Sequence, residues 1–291
     1  MFIDQNGHTW YRGNMHLHTH RSDGDLSYED AVELYRGMGY DFLAVTDHWR
    51  WSEDIKEDDF LRIAGCEYDV GASVPEGIYH IVAIGCEGEP ELIRKGKDLN
   101  AQQIIDQIHE HNGYAILAHP SWSLNRPDKV LQLKDIDATE IYNTFSGVPW
   151  NARPYSGDFV DILASEGMRL PCMAADDSHR YEGEAGRSYL MVKAEELSKE
   201  AILSALRRGD FIATQGPMAQ IRMEGGTAVV ECSPASRVVF YTDGVYSDDR
   251  CTTGEDLTRA TCRIRPHETF VRAEIVDSEG RTAWTSPIPV R

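Results

Sequence analysis

Short apolar runs alternate with amphipathic helical patterns from residue 14 to about residue 213 of the chain. The runs that we predict to be strands are NMHLH, FLAVTD, RIAGCEYD, YHIVAIG, YAILAH, ATEIYN and LPCMAAD. Strands that alternate with helices are typical of a mostly parallel sheet, because each helical crossover returns the chain to the same edge. About seven such units are enough to close a barrel. The hydrophobic pattern therefore predicts an α/β barrel for this part of the chain.

Three of the intervening segments have recognisable helix ends. Ser27 is a suitable N-cap because it precedes an amphipathic stretch and is followed by Asp30 at the third helical position. The segments NAQQIIDQIHEHNG and LSKEAILSALRRGD end at Gly113 and Gly209, where a left-handed C-cap costs little. The apolar stripe expected on the first helix consists of Ala31, Leu34, Tyr35 and Met38.

The pattern changes after the segment FIATQGPM, which ends at Met218. The remaining sequence alternates like short strands and carries the turn dipeptides Gly225-Gly226, Asp243-Gly244 and Glu279-Gly280. It has no helical periodicity. We therefore predict two domains, a barrel over residues 1–216 and a small antiparallel β-sandwich over residues 217–291.

Composition narrows the possible partners. The chain has 291 residues, 41% hydrophobic and 26% charged, which is typical of a globular protein. Its formal net charge of −19 repels a nucleic-acid backbone, so we expect no long DNA or RNA partner. No run approaches the roughly 18 apolar residues of a membrane span, and the N-terminal residues do not resemble a signal peptide. The six cysteines are scattered without a C-x-x-C pair, which favours reduced thiols in a cytoplasmic protein.

Imidazole and carboxylate side chains gather at the ends of the predicted strands. The C-terminal strand ends of a β/α barrel converge on one mouth, so residues distant in sequence meet there. Imidazoles mixed with carboxylates are the ligands of zinc, manganese or iron. The strand-end residues are His16, His18, Asp47, His48, Glu67, His80, His119, Asp177 and His179.

The spacing of His16 and His18 suits a shared ion, because residues two apart on a strand point to the same side. A second H-x-H triplet, His109 and His111, lies in a predicted helix. Residues two apart on a helix point about 200° apart and cannot share an ion. We therefore assign His109 and His111 to a solvated helix end.

The segments HLHTHRSDG, TDH, GCEYD, YHIVAIG, AHP and DDSH, in this order, closely resemble the polymerase and histidinol phosphatase (PHP) domain. The resemblance covers about residues 14 to 215. It implies a distorted (β/α)7 barrel that holds two or three metal ions and, in stand-alone members, hydrolyses phosphate esters. The overall layout also resembles stand-alone metal-dependent phosphoesterases that carry a C-terminal β domain.

The resemblance also implies a ligand set of nine residues for divalent manganese, iron or zinc. A first ion would be held by His16, His18, Glu67 and Asp177. Glu67 would bridge to a second ion held by His80 and His119, and a third would be held by Asp23, His48 and His179. Asp47 matches a motif without being a ligand, and we expect it to have a supporting role. Cys66 and Cys172 adjoin ligands but are expected to be small core residues.

A phosphate substrate needs hydrogen-bond donors, and arginine provides them in pairs. Arg153 and Arg180 lie in loops expected at the mouth, and His20 belongs to the first motif without matching a ligand position. We name these three as candidate substrate-binding residues, while an exposed surface role stays open for each. Arg21 is a weaker candidate. The aromatic residues Trp122, Tyr142 and Trp150 are expected to pack rather than to stack on substrate.

The predicted function is metal-dependent hydrolysis of a small phosphomonoester such as a nucleotide or a sugar or amino-alcohol phosphate. The attacking group would be a hydroxide shared by two ions, so no side chain is assigned as a catalytic residue. Two alternatives remain open. One is an exonuclease or phosphodiesterase acting on short oligonucleotides, and the other is a non-catalytic interaction module stabilised by metal.

Overall fold

The computed structural model describes residues 1–4, 6–71, 73, 77–91 and 99–291. Its helices are α1 (Tyr28–Gly37), α2 (Ala101–Glu110), α3 (Pro127–Val130), α4 (Gly157–Ser165) and α5 (Lys199–Arg208). Its strands are β1 (Phe2–Ile3), β2 (Thr9–Asn14), β3 (Phe42–Ala44), β4 (Ile55–Lys56), β5 (Leu61–Ile63), β6 (Gly65–Val70), β7 (Tyr79–Ile84), β8 (Tyr114–Leu117), β9 (Ala138–Asn143), β10 (Cys172–Ala175), β11 (Tyr189–Lys193), β12 (Phe211–Thr214), β13 (Ala219–Glu224), β14 (Thr227–Tyr241), β15 (Cys251–Arg263), β16 (Phe270–Val276), β17 (Thr282–Trp284) and β18 (Ile288–Pro289).

The strands of the described residues form two sheets. One has five strands in the order β10-β9-β8-β7-β6, and the other has 13 strands along the path β13-β14-β16-β17-β12-β11-β2-β3-β5-β4, with β1, β15 and β18 paired beside it. Strands β2, β3 and β5 are parallel, as are β8, β9 and β10. Strand β7, however, is antiparallel to both β6 and β8. The first region is therefore a mixed sheet arrangement rather than the mostly parallel one that the pattern predicts.

Within the described ranges the strands do not close into one continuous barrel. The two sheets approach each other through isolated parallel bridges, Leu17 with Ser178 and His48 with Glu67. Strand β2 ends at Asn14 and β3 ends at Ala44, several residues before the predicted strand ends. The segments that carry the candidate ligands thus leave the hydrogen-bond ladder before they reach the mouth. The α/β class is confirmed, whereas the closed (β/α)7 form is not.

The largest hydrophobic core lies between the two sheets. It includes Phe42 and Ile63 from one sheet and Val82, Ile116 and Ile141 from the other, all nearly inaccessible to solvent. A second core lies under α2 and α4, on the outer face of the five-stranded sheet. Burial on both faces stabilises that sheet, and it explains why its strands read as continuous apolar runs.

Residues 217–291, all of which the structure describes, contain strands and no helix. They do not form a sheet of their own, because β17 pairs with β12 of the preceding region, with Ala213 opposite Trp284. Trp284 also belongs to the main core. The predicted domain boundary after residue 216 falls between β12 and β13. The β-sandwich predicted for residues 217–291 as a separate domain remains a prediction.

The structure confirms two of the predicted helix caps and contradicts a third. Ser27 caps α1 by accepting a hydrogen bond from the backbone N–H of Asp30, and Gly209 ends α5 in the left-handed conformation at φ 72°, as predicted. After α2 the left-handed residue is Asn112, at φ 56°, so the prediction for Gly113 is wrong. Met38 is also misassigned, because it follows the last turn of α1 and is exposed.

The six cysteines all lie in the described ranges, and none is paired. Cys66 and Cys172 are buried in the cores, as expected. Burial raises the pKa of the Cys172 thiol to about 12, so it stays protonated near neutral pH. No helix in the described part of the chain is long and apolar enough to cross a membrane.

Candidate metal centre

Four side chains converge at the mouth between the two sheets. The Nε2 atom of His16 lies 3.1 Å from Oε2 of Glu67 and 3.2 Å from Oδ1 of Asp177. The Nε2 atom of His18 lies 3.0 Å and 3.1 Å from the same two oxygens. Ligand atoms that surround one transition-metal ion at about 2.0–2.3 Å are about 3.0–3.5 Å apart. The spacing of these four atoms therefore fits one shared ion.

Local backbone structure brings these residues together. His16 and His18 lie on one side of the extended segment that follows β2, while Leu17 between them is buried in a separate core. Glu67 lies within β6, and Asp177 follows β10 at φ 53°. The backbone N–H of Asp177 donates to the carbonyl of His16 at 2.9 Å, which fixes the two segments side by side. The alternation predicted from the sequence is confirmed, although the segment lies outside β2.

One atom of this group shows that a cation fits there. Oδ1 of Asp177 is buried without a hydrogen bond of acceptable geometry, although two ring nitrogens lie beside it. Nδ1 of His16 contacts Oε1 of Glu140 at 2.7 Å, so this nitrogen is the natural place for the ring proton. The Nε2 lone pair of a neutral His16 then faces carboxylate oxygens. Facing lone pairs in a buried site are favourable only around positive charge.

The second carboxylate oxygen of Glu67 faces a different pair of histidines. Oε1 lies 2.8 Å from Nδ1 of His80 and 3.3 Å from Nε2 of His119. Nδ1 of His119 contacts the hydroxyl of Ser123 at 3.0 Å. Glu67 therefore has the arrangement of a bridging ligand. The compact group of possible ligands here consists of His48, Glu67 and His80, so His48 lies nearer this position than the family pattern implies.

A third group consists of His18, Asp23, His48 and His179. The Asp23 carboxylate lies 3.4 Å from Nε2 of His179, 3.5 Å from Nδ1 of His18 and 3.8 Å from Nε2 of His48. Asp23 is half exposed, whereas His18 is fully buried. The family pattern assigns His18 to the first ion alone. In the structure, however, Nε2 of His18 faces Glu67 and Asp177, whereas Nδ1 faces Asp23 of the third group. All nine candidate ligands thus meet at one mouth.

The electrostatics of the cluster favour added positive charge. Burial opposes protonation of His16, but the carboxylates of Asp177, Glu67 and Glu140 outweigh it and raise its pKa well above the ordinary value. Against the same burial, the adjacent carboxylates of Asp177 and Glu67 raise the pKa of His18 to about 9. Protons and metal ions compete for the same nitrogen atoms. The cluster is thus built to hold cations.

The antiparallel direction of β7 explains the position of His80. Glu67 lies within β6 and most other candidate ligands follow a strand, but His80 lies at the beginning of β7, opposite Asp69 of β6. Because β7 runs against its neighbours, its N-terminal end lies at the mouth. A parallel β7 would carry His80 to the opposite end of the sheet.

Glu140 and Asn143 are supporting residues that the sequence analysis missed. The Oε2 atom of Glu140 accepts the backbone N–H of His119 at 2.9 Å and the side-chain amide of Asn143 at 2.8 Å. Asn143 also donates to Oδ2 of Asp177 at 3.1 Å. The available signal was a carboxylate at a buried position of the apolar run ATEIYN, because a buried charge requires a partner.

Asp47 has the supporting role expected of it. Its carboxylate accepts hydrogen bonds from the backbone N–H and hydroxyl of Thr19, at 2.6 and 2.7 Å, and from the hydroxyl of Ser22 at 2.8 Å. These contacts hold the loop that carries Asp23.

The three candidate substrate-binding residues are exposed. His20 contacts the carbonyl of Asp25 through Nε2 at 2.8 Å, and Arg180 pairs with the Asp25 carboxylate at 2.8 Å. Arg153 lines a groove of 510 Å³ with Ser121 and other residues, none of them a candidate ligand. No hydrogen bond or ion pair joins these side chains to the nine candidate ligands among the described residues, so their role remains a proposal.

The aromatic residues pack largely as expected. Trp122 lies edge-on to His119 with ring centres 4.9 Å apart, and Tyr142 stacks on Trp284 at 4.9 Å. Phe145, which the sequence analysis did not single out, stacks on His179 at 4.0 Å. Trp150 is exposed, so the packing expected of it is not found. Trp122 and Phe145 contact candidate ligand histidines, and Tyr142 joins the two regions of the chain.

His109 and His111, at the C-terminal end of α2, lie outside the candidate metal centre. His109 contacts the carbonyl of Asp135 through Nε2 at 2.7 Å, and His111 contacts the carbonyl of Gln107 through Nδ1 at 2.9 Å. Neither histidine belongs to any group of possible ligands among the described residues. The assignment of this pair to the end of a helix is confirmed.

Solved structures of three proteins are similar to this chain. A two-domain protein from Bacteroides vulgatus that contains a predicted PHP-like metal-dependent phosphoesterase is 17% identical, with a TM-score of 0.58 over 99% of this chain and 98% of that protein. A candidate metal-dependent phosphoesterase from Bifidobacterium adolescentis is 12% identical, with a TM-score of 0.41 over 57% and 87%. An amidohydrolase from Chromobacterium violaceum, with bound sulfate and no metal, is 15% identical, with a TM-score of 0.46 over 68% and 96%.

No protein-family model matches the sequence, and no curated protein is significantly similar to it. The likeness to the Bacteroides protein nevertheless extends over the whole chain, including the strands after residue 216. At this identity the likeness concerns the fold. The chain therefore shares the overall fold of the Bacteroides protein.

Proposed function

We propose that this protein is a metal-dependent phosphoesterase that hydrolyses a small phosphomonoester at a centre of two or three divalent transition-metal ions. The observation that carries the proposal is the position of Glu67, whose two carboxylate oxygens face two different sets of imidazole nitrogens. A bridging carboxylate is what a centre of adjacent ions needs. The fold shared with the Bacteroides PHP-like protein supports the same conclusion.

The residues present fit manganese, iron or zinc, which accept mixed imidazole and carboxylate ligands. A first ion would be held by His16, His18, Glu67 and Asp177. A second would be held by Glu67, His80 and His119, with His48 beside them, and a third by Asp23, His48 and His179. Divalent ions bound there would lower the pKa of an attacking water molecule and neutralise charge on the phosphoryl oxygens.

The remaining residues of the site orient the ligands and exclude water. Glu140 accepts the Nδ1 proton of His16, and the backbone carbonyl of Asp177 accepts that of His179 at 2.8 Å. Each contact leaves Nε2 as the ligand atom and fixes the plane of the ring. Trp122 packs edge-on against His119 and Phe145 stacks on His179, and both histidines are buried from bulk water.

A small substrate agrees with the charge of the chain and with the exposed rim of the site. A net charge of −19 repels a long polyanion, but cations at the mouth attract a single phosphate group. Arg180 next to His179, together with Arg153 and His20, is proposed to contact the substrate. Arg180 can leave Asp25 at little cost, because the pair is exposed on both sides. Six unpaired cysteines support a cytoplasmic location.

Turnover of p-nitrophenyl phosphate with added manganese tests the proposal. We expect hydrolysis by the wild type and its loss in His16→Ala, with His109→Ala as the matched control on α2. Absence of turnover in the metal-loaded wild type, on this ester and on a panel of phosphorylated metabolites, would contradict the proposal and favour a non-catalytic metal-stabilised module.

A further inference from the structure

A cavity of 610 Å³ lies where the mouth loops of the first region meet the C-terminal strands. Thr144 and Gly147 line it from the segment after β9, and Arg187 lines it from the segment before β11. Gln215, just after β12, and Arg281, just before β17, complete the wall. None of the nine candidate metal ligands lines this cavity. It is therefore a separate site from the proposed metal centre.

The cavity is positively charged in a strongly acidic protein. Arg12, Arg187 and Arg281 line it, and Glu279 is the one carboxylate among its described lining residues. Arg281 lies 2.8 Å from Asp277 and 3.3 Å from Glu279, so its charge is largely compensated. The other two guanidinium groups contact no carboxylate within the described part of the chain. The cavity therefore carries two uncompensated positive charges.

Arg12 is unusually placed for a structural arginine. Its guanidinium group lies between the rings of Tyr40 and Tyr189, 4.1 and 3.9 Å from their centres. Nη1 donates to the carbonyl of Met38 at 3.3 Å, and Nη2 donates to the carbonyl of Gly186 at 3.2 Å and to the hydroxyl of Tyr40 at 3.3 Å. None of these acceptors carries a charge. The guanidinium group of Arg12 is therefore held in place at the cavity wall, while its positive charge has no carboxylate partner among the described residues.

We propose that this cavity binds a small molecule through a phosphate group held by Arg12 and Arg187. Two arginines suit a phosphate because each planar guanidinium presents paired donors to its oxygens. The rings of Tyr142 and Tyr189 in the cavity wall offer apolar contact to the rest of such a molecule. The proposal does not depend on the catalytic activity of the metal centre.

The cavity borders the backbone segment that holds Asp176. The N–H groups of Gly186, Arg187 and Ser188 donate to the Asp176 carboxylate at 2.7, 3.0 and 2.7 Å. Asp176 precedes the candidate ligand Asp177 in the chain. A phosphate held by the Arg187 side chain would thus contact the segment behind the metal centre without entering it.

Calorimetric titration of the full chain with inorganic phosphate tests the proposal, with metal-loaded and chelator-treated protein compared. We expect chelator-treated protein to retain one phosphate site. Arg187→Ala should weaken that site at least about tenfold, since it removes the guanidinium but keeps the backbone N–H to Asp176. Arg263→Ala, at an exposed arginine of β15, is the matched control and should leave the affinity unchanged.

A second variant tests phosphate binding independently of Arg187→Ala, in case that protein does not fold. Arg12→Lys keeps the positive charge but loses the planar fork, so it should also weaken phosphate binding about tenfold or more. Loss of all phosphate binding on chelation, or wild-type affinity in both arginine variants, would overturn the proposal. The titration measures phosphate binding and not hydrolysis. A negative result would therefore leave the proposed phosphoesterase activity untouched, and absence of hydrolysis would leave the proposed phosphate site untouched.

Discussion

Arg272 of β16 donates two hydrogen bonds to Asp161 of α4, from Nε at 2.6 Å and from Nη2 at 2.8 Å. The arginine is fully buried, and its Nη1 also donates to Glu274 at 2.8 Å. The ring of Tyr241 lies 4.0 Å from the guanidinium carbon. This paired contact joins the C-terminal strands to a helix of the first region, in addition to the shared ladder between β12 and β17.

Arg272→Met should lower the free energy of unfolding by about 3 kcal/mol, because it leaves Asp161 and Glu274 without their buried partner. Urea unfolding followed by circular dichroism measures the change. Arg237→Ala, at an exposed arginine of β14, is the control and should change it by no more than about 0.5 kcal/mol. Equal stability of Arg272→Met and the wild type would show that the pair does not fasten the two regions.

Purified protein should contain two to three equivalents of manganese, iron or zinc per chain. The reason is that the buried carboxylates of Glu67 and Asp177 face imidazole lone pairs, an arrangement that requires cations. Elemental analysis of the purified chain measures the content. Less than one equivalent, together with no uptake of added metal, would exclude the centre.

Substitutions should separate the centre from the histidines of α2. His16→Ala, Glu67→Ala and His179→Ala should each abolish hydrolysis while the protein stays folded by circular dichroism. His109→Ala and His111→Ala should retain activity within a few-fold of wild type, since both side chains contact only backbone or surface groups. Equal losses in the two sets would contradict the assignment of the ligands.

Glu140→Gln should weaken metal binding about tenfold to a hundredfold, because the neutral amide no longer holds the Nδ1 proton of His16 as firmly. Competition with a metal-chelating dye measures the affinity directly. Glu166→Gln, at an exposed residue after α4, is the matched control. An unchanged affinity in Glu140→Gln would show that Glu140 does not position His16.

Small phosphomonoesters should be preferred over simple diesters by at least about tenfold in kcat/KM, which is about 1.4 kcal/mol of transition-state binding. A monoester dianion offers three terminal oxygens to the cations of the site, whereas a diester offers two. Parallel kinetics on p-nitrophenyl phosphate and bis-p-nitrophenyl phosphate measure the ratio. A preference for the diester would favour the exonuclease alternative.

The proposed substrate contacts have their own test. Arg153→Ala and Arg180→Ala should lower kcat/KM without lowering metal content, because their proposed partner is the phosphate group. Arg263→Ala serves as the control for loss of a surface charge. Wild-type kinetics in either variant would return that arginine to the exposed surface, where it forms no hydrogen bond or ion pair with a candidate ligand among the described residues.

Local periodicity was enough to determine several features of this protein. The alternation of His16 and His18 placed both rings on one side of an extended segment, and helical spacing excluded His109 and His111 as a shared site. The caps at Ser27 and Gly209 follow from side-chain and backbone chemistry within one helical turn. These features depend on residues only a few positions apart, so the sequence contains all the information they need.

Only the tertiary structure decided how distant segments pair. The antiparallel direction of β7 brings His80 to the mouth, the burial of Glu140 makes it the partner of His16, and the ladder between β12 and β17 joins the C-terminal strands to the sheet of the first region. The segments that carry the candidate ligands also leave the hydrogen-bond ladder before they reach the mouth. His18 and His48 therefore each lie close to two neighbouring groups of candidate ligands. Hydrogen-bond partners and burial are set by long-range pairing of strands, which the local pattern of apolar positions does not specify.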